Sequence, residues 1–172
     1  TLRNNLIKDN RIGLTMGYGW GGGVCLVDAR ADLIGNVVTG NHAASLGSGV
    51  FVDDGSEATL QNELYFANHC YEGGAGLLVD GLNASVFSKA TLINVTIADH
   101  ACAHGLGQGL MILESNVTMR NTILWNNGAQ ETFVSKSGTL AASYSNSPQP
   151  LPGVGNISAD PLFAKSGPAP YH

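Results

Sequence analysis

The chain has 172 residues, which suits one domain. Its 8 basic and 13 acidic residues give a net charge of −5. Because phosphate binding needs a basic stripe, we predict no nucleic-acid partner. No apolar run approaches the roughly 18 residues of a membrane-spanning helix, so we predict no membrane span. Only 12% of residues are charged and 44% are hydrophobic, which allows a sizeable core.

A two-part motif repeats along the chain. The first part is Gly-x-Gly followed by an apolar run, and the second part is an apolar run that ends in Asn or Asp. The final residues of the second part are 31, 27, 31 and 27 residues apart. A period in this range, built from short β-like runs and turn residues, is typical of a solenoid. The first part occurs at residues 21–24, 47–50, 74–77 and 107–110.

Each repeat contains three strand-like runs, rich in β-branched and apolar residues and bounded by Gly, Asn, Asp and Ser. In the first full repeat they lie at residues 24–27, 32–34 and 37–39. We therefore predict an all-β fold: a right-handed parallel β-helix with three short strands per coil and about five to six coils. Two excursions from the coils are expected, at residues 80–90 and 103–108.

The domain organisation follows from where the repeat ends. Residues 1–146 are predicted to form the coils. Residues 147–153 contain three prolines and cannot continue a ladder. We predict that residues 147–172 form a Pro/Gly-rich tail that packs on the last coil or leaves it. Residues 1–10 match the second half of a repeat, so we expect a processed chain, a fragment or a subunit whose open end a neighbour covers.

The residues that end the second motif are predicted to form a structural ladder in a tight turn. Asn tolerates left-handed geometry there, and its amide can bond to the copy on the next coil. The predicted ladder consists of Asn10, Asn41, Asn68, Asp99 and Asn126.

Three cysteines leave two interpretations open. Cys70 and Cys102 follow the ladder on adjacent coils, so a disulfide between them is one alternative. The other is three small buried thiols, with Cys25 as the third.

These motifs resemble the right-handed β-helix proteins of the pectin-lyase-like superfamily. The Gly-x-Gly segments and the segments 7–10, 38–41, 65–68 and 123–126 are also similar to the repeats of polymorphic outer-membrane proteins. The resemblance covers nearly the whole chain. It implies the fold, whereas the superfamily includes lyases, hydrolases, adhesins and structural proteins.

Acidic residues follow the first strand of successive coils, and stacking brings them to one edge. The resemblance implies a use for such acids, since lyases of the superfamily hold Ca²⁺ with them and hydrolases use paired Asp. The alternative catalytic set is Asp53, Asp54 and Asp80. The other interpretation is that polar residues simply end each strand. Because the nearby bases are only Arg30 and Lys89, we predict no catalytic residue and favour a non-enzymatic protein.

Three histidines follow the ladder residues and are expected to stack. Three imidazoles one strand apart could bind Zn²⁺ or Cu²⁺. A ladder, however, points its members in parallel, so we predict turn residues and no metal. These residues are His42, His69 and His100.

Four Asn-x-Ser/Thr sequons are glycosylation acceptors if the protein is secreted by a eukaryote. They start at Asn83, Asn94, Asn116 and Asn156.

The expected function is a non-enzymatic extracellular or cell-surface module, structural or adhesive. It would stack end to end into a fibre or form part of a longer solenoid, because an open β-helix end is a template for another chain. The expected partners are copies of the chain, neighbouring β-helix segments and glycans, with no cofactor. The alternative is a polysaccharide lyase or hydrolase, or a carbohydrate-binding domain, which would use Ca²⁺.

Overall fold

The fold is an all-β parallel β-helix, as predicted. The computed structural model describes residues 1–13, 19–81 and 86–164, and these contain strands but no helix. The strands form four parallel sheets, and within each sheet they stack in sequence order. Each turn of the chain therefore adds one strand to a sheet and forms one coil. Across the described ranges, no helix is long and apolar enough to cross a membrane.

Sheets 1 and 2 begin each coil. Sheet 1 has six strands: Leu2–Arg3, Arg30–Ile34, Glu57–Gln61, Lys89–Ile93, Asn116–Arg120 and Thr139–Ser143. Sheet 2 has five strands: Leu6–Lys8, Val37–Thr39, Leu64–Phe66, Thr96–Ala98 and Ile123–Trp125.

Sheets 3 and 4 complete the coil. Sheet 3 has four strands: Arg11–Ile12, His42–Ala43, His69–Cys70 and Ala101–Cys102. Sheet 4 has five strands: Val24–Val27, Val50–Asp53, Leu77–Asp80, Leu110–Leu113 and Thr132–Val134.

Sheets 1, 2 and 4 correspond to the three predicted strands of each coil, and sheet 3 adds a fourth. Its strands have two residues each, so they carry no alternation that a sequence pattern could reveal. Sheet 3 lies between the second motif and Gly-x-Gly, where the sequence suggested only a connection.

The core lies inside the coils because alternate residues of each strand point inward. The inward column of sheet 1 is Leu33, Leu60, Leu92 and Met119, which pair on successive coils. Each of them is at most 1% exposed. The inward-pointing residues of sheet 2 include Tyr65, whose hydroxyl donates to Glu63 Oε2 at 3.0 Å.

A column of polar side chains runs through the interior between sheets 2 and 3. The backbone N–H and the Nδ2 of Asn41 both donate to Asn68 Oδ1, at 2.9 and 3.0 Å. Asn10 donates to Asn41 Oδ1 in the same way. Each side chain therefore satisfies a corner amide of the preceding coil.

The last two members of the predicted ladder are wrong by one residue. The N–H of Asn68 donates to His100 Nδ1 at 3.0 Å, and the N–H of His100 donates to Asn127 Oδ1 at 3.1 Å. Asp99 and Asn126 instead lie outside the coil at positive φ, where Asn126 Nδ2 donates to Asp99 Oδ1. The reason is the register, which pairs Phe66 with Ala98.

The two sequence motifs meet at this interior column. A Cβ on the second glycine of Gly-x-Gly at Gly49 would collide with the carbonyl oxygen of Gly76 and lie 3.1 Å from Asn68 Nδ2. The same holds for the second glycine of the other motifs. A Cβ on Gly23, Gly76 or Gly109 would also lie against the side chain of the ladder residue that follows it in the same coil. Glycine therefore recurs at this position because the ladder side chain and the backbone of the next coil occupy the space that a Cβ would need.

The described part of the tail, residues 147–164, lies against the last coil. Asn146 and Ile157 add two further bridges to the end of sheet 2. Leu151 packs against the core cluster. The rest of the predicted tail, residues 165–172, lies outside the described residues.

Replacing Gly49 with Ala should destabilise the protein by roughly 3 kcal/mol, because two backbone carbonyls and the Asn68 amide leave no room for a methyl group. Urea unfolding followed by circular dichroism measures the effect. Gly40→Asn is the matched control, since Gly40 has a φ of 64° on the outer column that also holds Asp99 and Asn126. It should cost clearly less, about 1 kcal/mol, because asparagine tolerates this φ and the only close atom is the end of the exposed Asp9 side chain. Equal losses in both variants would contradict the packing argument.

Candidate functional site

The predicted acidic residues do gather at one edge of the coil, where sheet 4 ends. Asp53 and Asp80 follow Val52 and Val79, which pair on neighbouring coils. Asp54 comes next at positive φ, and its N–H donates to Asp53 Oδ1 at 2.8 Å. Glu114 lies at positive φ after the following strand. We call Asp53, Asp54, Asp80 and Glu114 the acidic edge.

Two carboxyl groups of the acidic edge, those of Asp53 and Asp80, have a raised pKa. Partial burial first, and then the negative charges of Asp53, Glu114 and Asp54, raise the pKa of Asp80 to about 6, against the opposing N–H of Gly81. Burial also raises the pKa of Asp53, with the Asp54 amide opposing and the Asp54 charge adding to the rise. At mildly acidic pH Asp80 can therefore hold and release a proton.

The two bases considered with these acids bind a different carboxylate. Arg30 Nη2 lies 2.9 Å from Glu57 Oε2, and Lys89 Nζ lies 3.2 Å from Glu57 Oε1. These three residues lie in one column on the outer face of sheet 1. Among the residues that the structure describes, no group of three His, Cys, Asp or Glu side chains is arranged to hold a metal ion.

The three histidines do not form one column, and that expectation was wrong. His42 and His69 pair in sheet 3, and their rings stack with centroids 6.1 Å apart. The next residue in their column is Ala101. His100 lies one position earlier, inside the coil, where it replaces an asparagine of the ladder.

His100 is held in its neutral form by its position. It is 1% exposed, and burial lowers the pKa of its imidazole from 6.5 to about 3. A neutral ring has one nitrogen that can accept a hydrogen bond, and here Nδ1 accepts the N–H of Asn68. The ring thus performs the role of an Asn Oδ1.

The sequons lie in different environments. Asn83 lies outside the described residues. Asn94 is exposed and belongs to an outer row of asparagines, in which it donates to Asn62 and accepts from Asn121. Asn116 is half-buried on the outer face of sheet 1, where its Oδ1 accepts from Thr139.

The fourth sequon residue, Asn156, is engaged with the last coil. Its Oδ1 accepts the N–H of Ser145 at 3.0 Å, and its Nδ2 donates to the carbonyls of Ala142 and Pro152. A glycan on Nδ2 would compete with these bonds.

The structure joins Cys70 and Cys102 in a disulfide between neighbouring strands of sheet 3. Cys25 is an exposed free cysteine on sheet 4. Burial of its sulfur, and secondly the charge of Asp53, raise the pKa of that thiol.

Residues of the tail continue the pairing of the last coil. The N–H of Tyr144 donates to the carbonyl of Val154 at 3.0 Å, and Ile157 pairs with Asn146. The side chain of Gln149 bonds to the backbone of Thr132, and Asn156 to that of Ser145. Sequence reasoning missed the side chains that attach the tail, because they lie outside any repeat.

Comparison with protein-family models, curated proteins and solved structures found no match to this chain.

Replacing Asp80 with Asn should stabilise the protein by about 1 kcal/mol at pH 7.5, after allowance for its half-exposed position. The raised pKa means that Asp80 favours folding below pH 3.8 and that this contribution is lost as pH rises through about 6. Urea unfolding at pH 4.5 and 7.5 tests the prediction. Asp32→Asn, on the exposed outer face of sheet 1, is the control and should show no such pH-dependent gain.

Replacing His100 with Asn should make the protein less sensitive to acid. The unfolded chain takes up a proton near pH 6.5 that the folded His100 refuses until about pH 3, so wild-type stability falls across this window. The variant should gain on the wild type by up to about 1.4 kcal/mol per pH unit. Urea unfolding at several pH values gives the slope, with His69→Asn as the exposed control. Parallel profiles for wild type and His100→Asn would exclude this account.

Proposed function

We propose that the chain is a non-enzymatic extracellular module, structural or adhesive, of the β-helix type. Its partners are neighbouring β-helix segments or other copies of the chain, which would add further parallel β-structure to the coils. The acidic edge then serves to end strands and keep the surface hydrated.

The observation that carries the proposal is the regular stacking of the coils. Within each sheet the strands pair in parallel and in sequence order, and polar side chains link the same neighbouring coils, as Asn41 and Asn68 do. A parallel ladder of this kind can be extended by a further coil of the same register.

Two features support an extracellular location. The Cys70–Cys102 disulfide suits an oxidising compartment. The sequons at Asn94 and Asn116 lie on outer surfaces of the coil, where glycans could attach. Kinship with the pectin-lyase-like superfamily and with polymorphic outer-membrane repeats is part of the same proposal and rests on the repeated motifs alone.

The acidic edge favours a second candidate function, a polysaccharide lyase or hydrolase or a carbohydrate-binding domain. Asp80 carries a proton at mildly acidic pH beside Asp53, and such unequal carboxyl groups are the residue types that acid–base cleavage of glycosides uses. Ca²⁺ would be the expected cofactor of a lyase of this kind.

Negative-stain microscopy of protein purified from its native source without refolding tests the proposal. We expect rods clearly longer than the roughly 3 nm that six coils span at about 4.8 Å each. Assays on polygalacturonate and alginate, with and without Ca²⁺, should show no cleavage.

The opposite result would be single particles the size of one chain together with uronate cleavage. If Asp80→Asn abolished that cleavage while Asp32→Asn retained it, the enzymatic alternative would replace the structural one.

A further inference from the structure

One junction between neighbouring coils has fewer interior hydrogen bonds than the junction before it. At the earlier junction, the N–H and the Nδ2 of Asn41 both donate to Asn68 Oδ1. At the next junction, the N–H of Asn68 donates to His100 Nδ1, and among the described residues its Nδ2 donates only to the carbonyl of Val38. A neutral imidazole has a single acceptor, whereas an amide oxygen has two lone pairs. We call the contact between the coil of Asn68 and the coil of His100 the histidine junction.

The second interior column is interrupted at the same junction. Between sheets 1 and 2, the N–H and the Nδ2 of Asn36 both donate to Glu63 Oε1 at 2.9 Å. The residue level with Glu63 on the next coil is Val95, because Leu64 pairs with Thr96. Val95 is buried and its side chain has no acceptor. This column therefore contributes no side-chain hydrogen bond to the histidine junction.

A covalent bond crosses the junction where these hydrogen bonds are missing. Cys70 and Cys102 follow Asn68 and His100 by two residues each, and their disulfide joins the same two strands of sheet 3. At the earlier junction, the partner of Cys70 in that sheet is Ala43, so no disulfide can form there.

The other contacts across the histidine junction have counterparts at the earlier one. The backbone ladders continue through it in sheets 2, 3 and 4. At the corner between sheets 4 and 1, the N–H of Gly55 donates to Ser88 Oγ, as the N–H of Ala29 does to Ser56 Oγ one coil earlier. In a solenoid the interfaces between neighbouring repeats contribute separately to stability, so the array separates first at its weakest interface. The disulfide is the contact that offsets the missing side-chain hydrogen bonds.

Protonation of His100 removes the interior hydrogen bond that remains. An imidazolium donates from both nitrogens, so its Nδ1–H would face the N–H of Asn68. The second nitrogen, Nε2, is buried and has no hydrogen-bond partner in the described part of the chain. Burial accordingly lowers the pKa of this imidazole from 6.5 to about 3. The ring therefore takes up a proton in mild acid only when the corner has opened.

No charged side chain of the described residues faces the His100 ring. On the preceding coil, Tyr65 lies close to the ring and its hydroxyl donates to Glu63. On the following coil, Asn127 accepts the N–H of His100 and donates to Glu131. Burial raises the pKa of both carboxyl groups, so the two acids favour the folded form as pH falls. Acid sensitivity of this junction thus originates in the histidine.

We infer that the histidine junction is a break point, which opens when the disulfide is reduced and His100 is protonated. In the first step, the Cys70 and Cys102 sulfurs each take up one electron and one proton from a dithiol, which is oxidised to its own disulfide. Acid then supplies the proton to His100. Either change alone leaves one link in place, the disulfide or the Asn68–His100 hydrogen bond. The inference does not rest on the proposed function.

The test measures amide hydrogen exchange by NMR in the full chain with Cys70→Ala and Cys102→Ala, which represents the reduced state. The opening constants of the Asn68 and Ala103 amides, which bond across the junction, should rise about 30-fold between pH 7.5 and 5.0. That of Asn41, which bonds across the earlier junction, should not rise. If the alanine pair does not fold, wild-type protein reduced with dithiothreitol at pH 7.5 and moved to pH 5.0 takes its place.

Two further variants assign the acid step and the redox step. Adding His100→Asn to the cysteine variant should abolish the rise with acid, whereas adding His69→Asn, on the outer face of sheet 3, should retain it. Wild-type protein with its disulfide intact should open at Asn68 on the order of 100-fold less than the cysteine variant at pH 5.0.

Three results would overturn the inference. A rise that survives His100→Asn would place the acid step on another group. Equal rises at Asn41 and Asn68 would mean that acid loosens the coils as a whole. Equal opening of wild-type protein and the cysteine variant at pH 5.0 would show that the disulfide does not keep the junction closed.

Discussion

The fold depends on corner amides that one coil cannot satisfy for itself. At the corner between sheets 2 and 3, the backbone N–H of Asn41 points into the interior, where its only acceptor is the side chain of Asn68 on the next coil. A buried N–H without an acceptor costs about 1–3 kcal/mol. The same oxygen also receives Asn41 Nδ2, and the glycine facing it has no side chain. The Asn and Gly-x-Gly motifs are therefore two parts of one arrangement.

This arrangement has a direction. The N–H of one coil donates to a side-chain acceptor on the following coil, which is an oxygen at Asn68 and at Asn127 and the Nδ1 of His100 between them. On the last coil the tail supplies the acceptors: Asn156 for the N–H of Ser145, and Gln149 for the N–H of Thr132. The tail is therefore held by the same kind of hydrogen bond that joins the coils.

The repeat was enough to predict the parallel β-helix, since its period and its strand-like runs recur in every coil. The repeat could not show which residue follows Asn68 in the ladder, because Asp99 is chemically closer to asparagine than His100 is. Only the structure shows that a buried neutral imidazole accepts the Asn68 N–H in its place. The strands of sheet 3 are too short to have a period. The side-chain attachment of the tail was missed because Gln149 and Thr132 are 17 residues apart and belong to no repeated pattern.

Native-state hydrogen exchange measured by NMR tests the central claim most directly. If the interior columns hold the coils together, the backbone amides of Asn41, Asn68 and His100 should exchange only through global unfolding. Their free energies of exchange should then equal the free energy of unfolding measured in urea. Exchange of these three amides by local opening, several kcal/mol below the global value, would contradict the account. The coils would then be held by their apolar core, and the side-chain columns would be incidental to it.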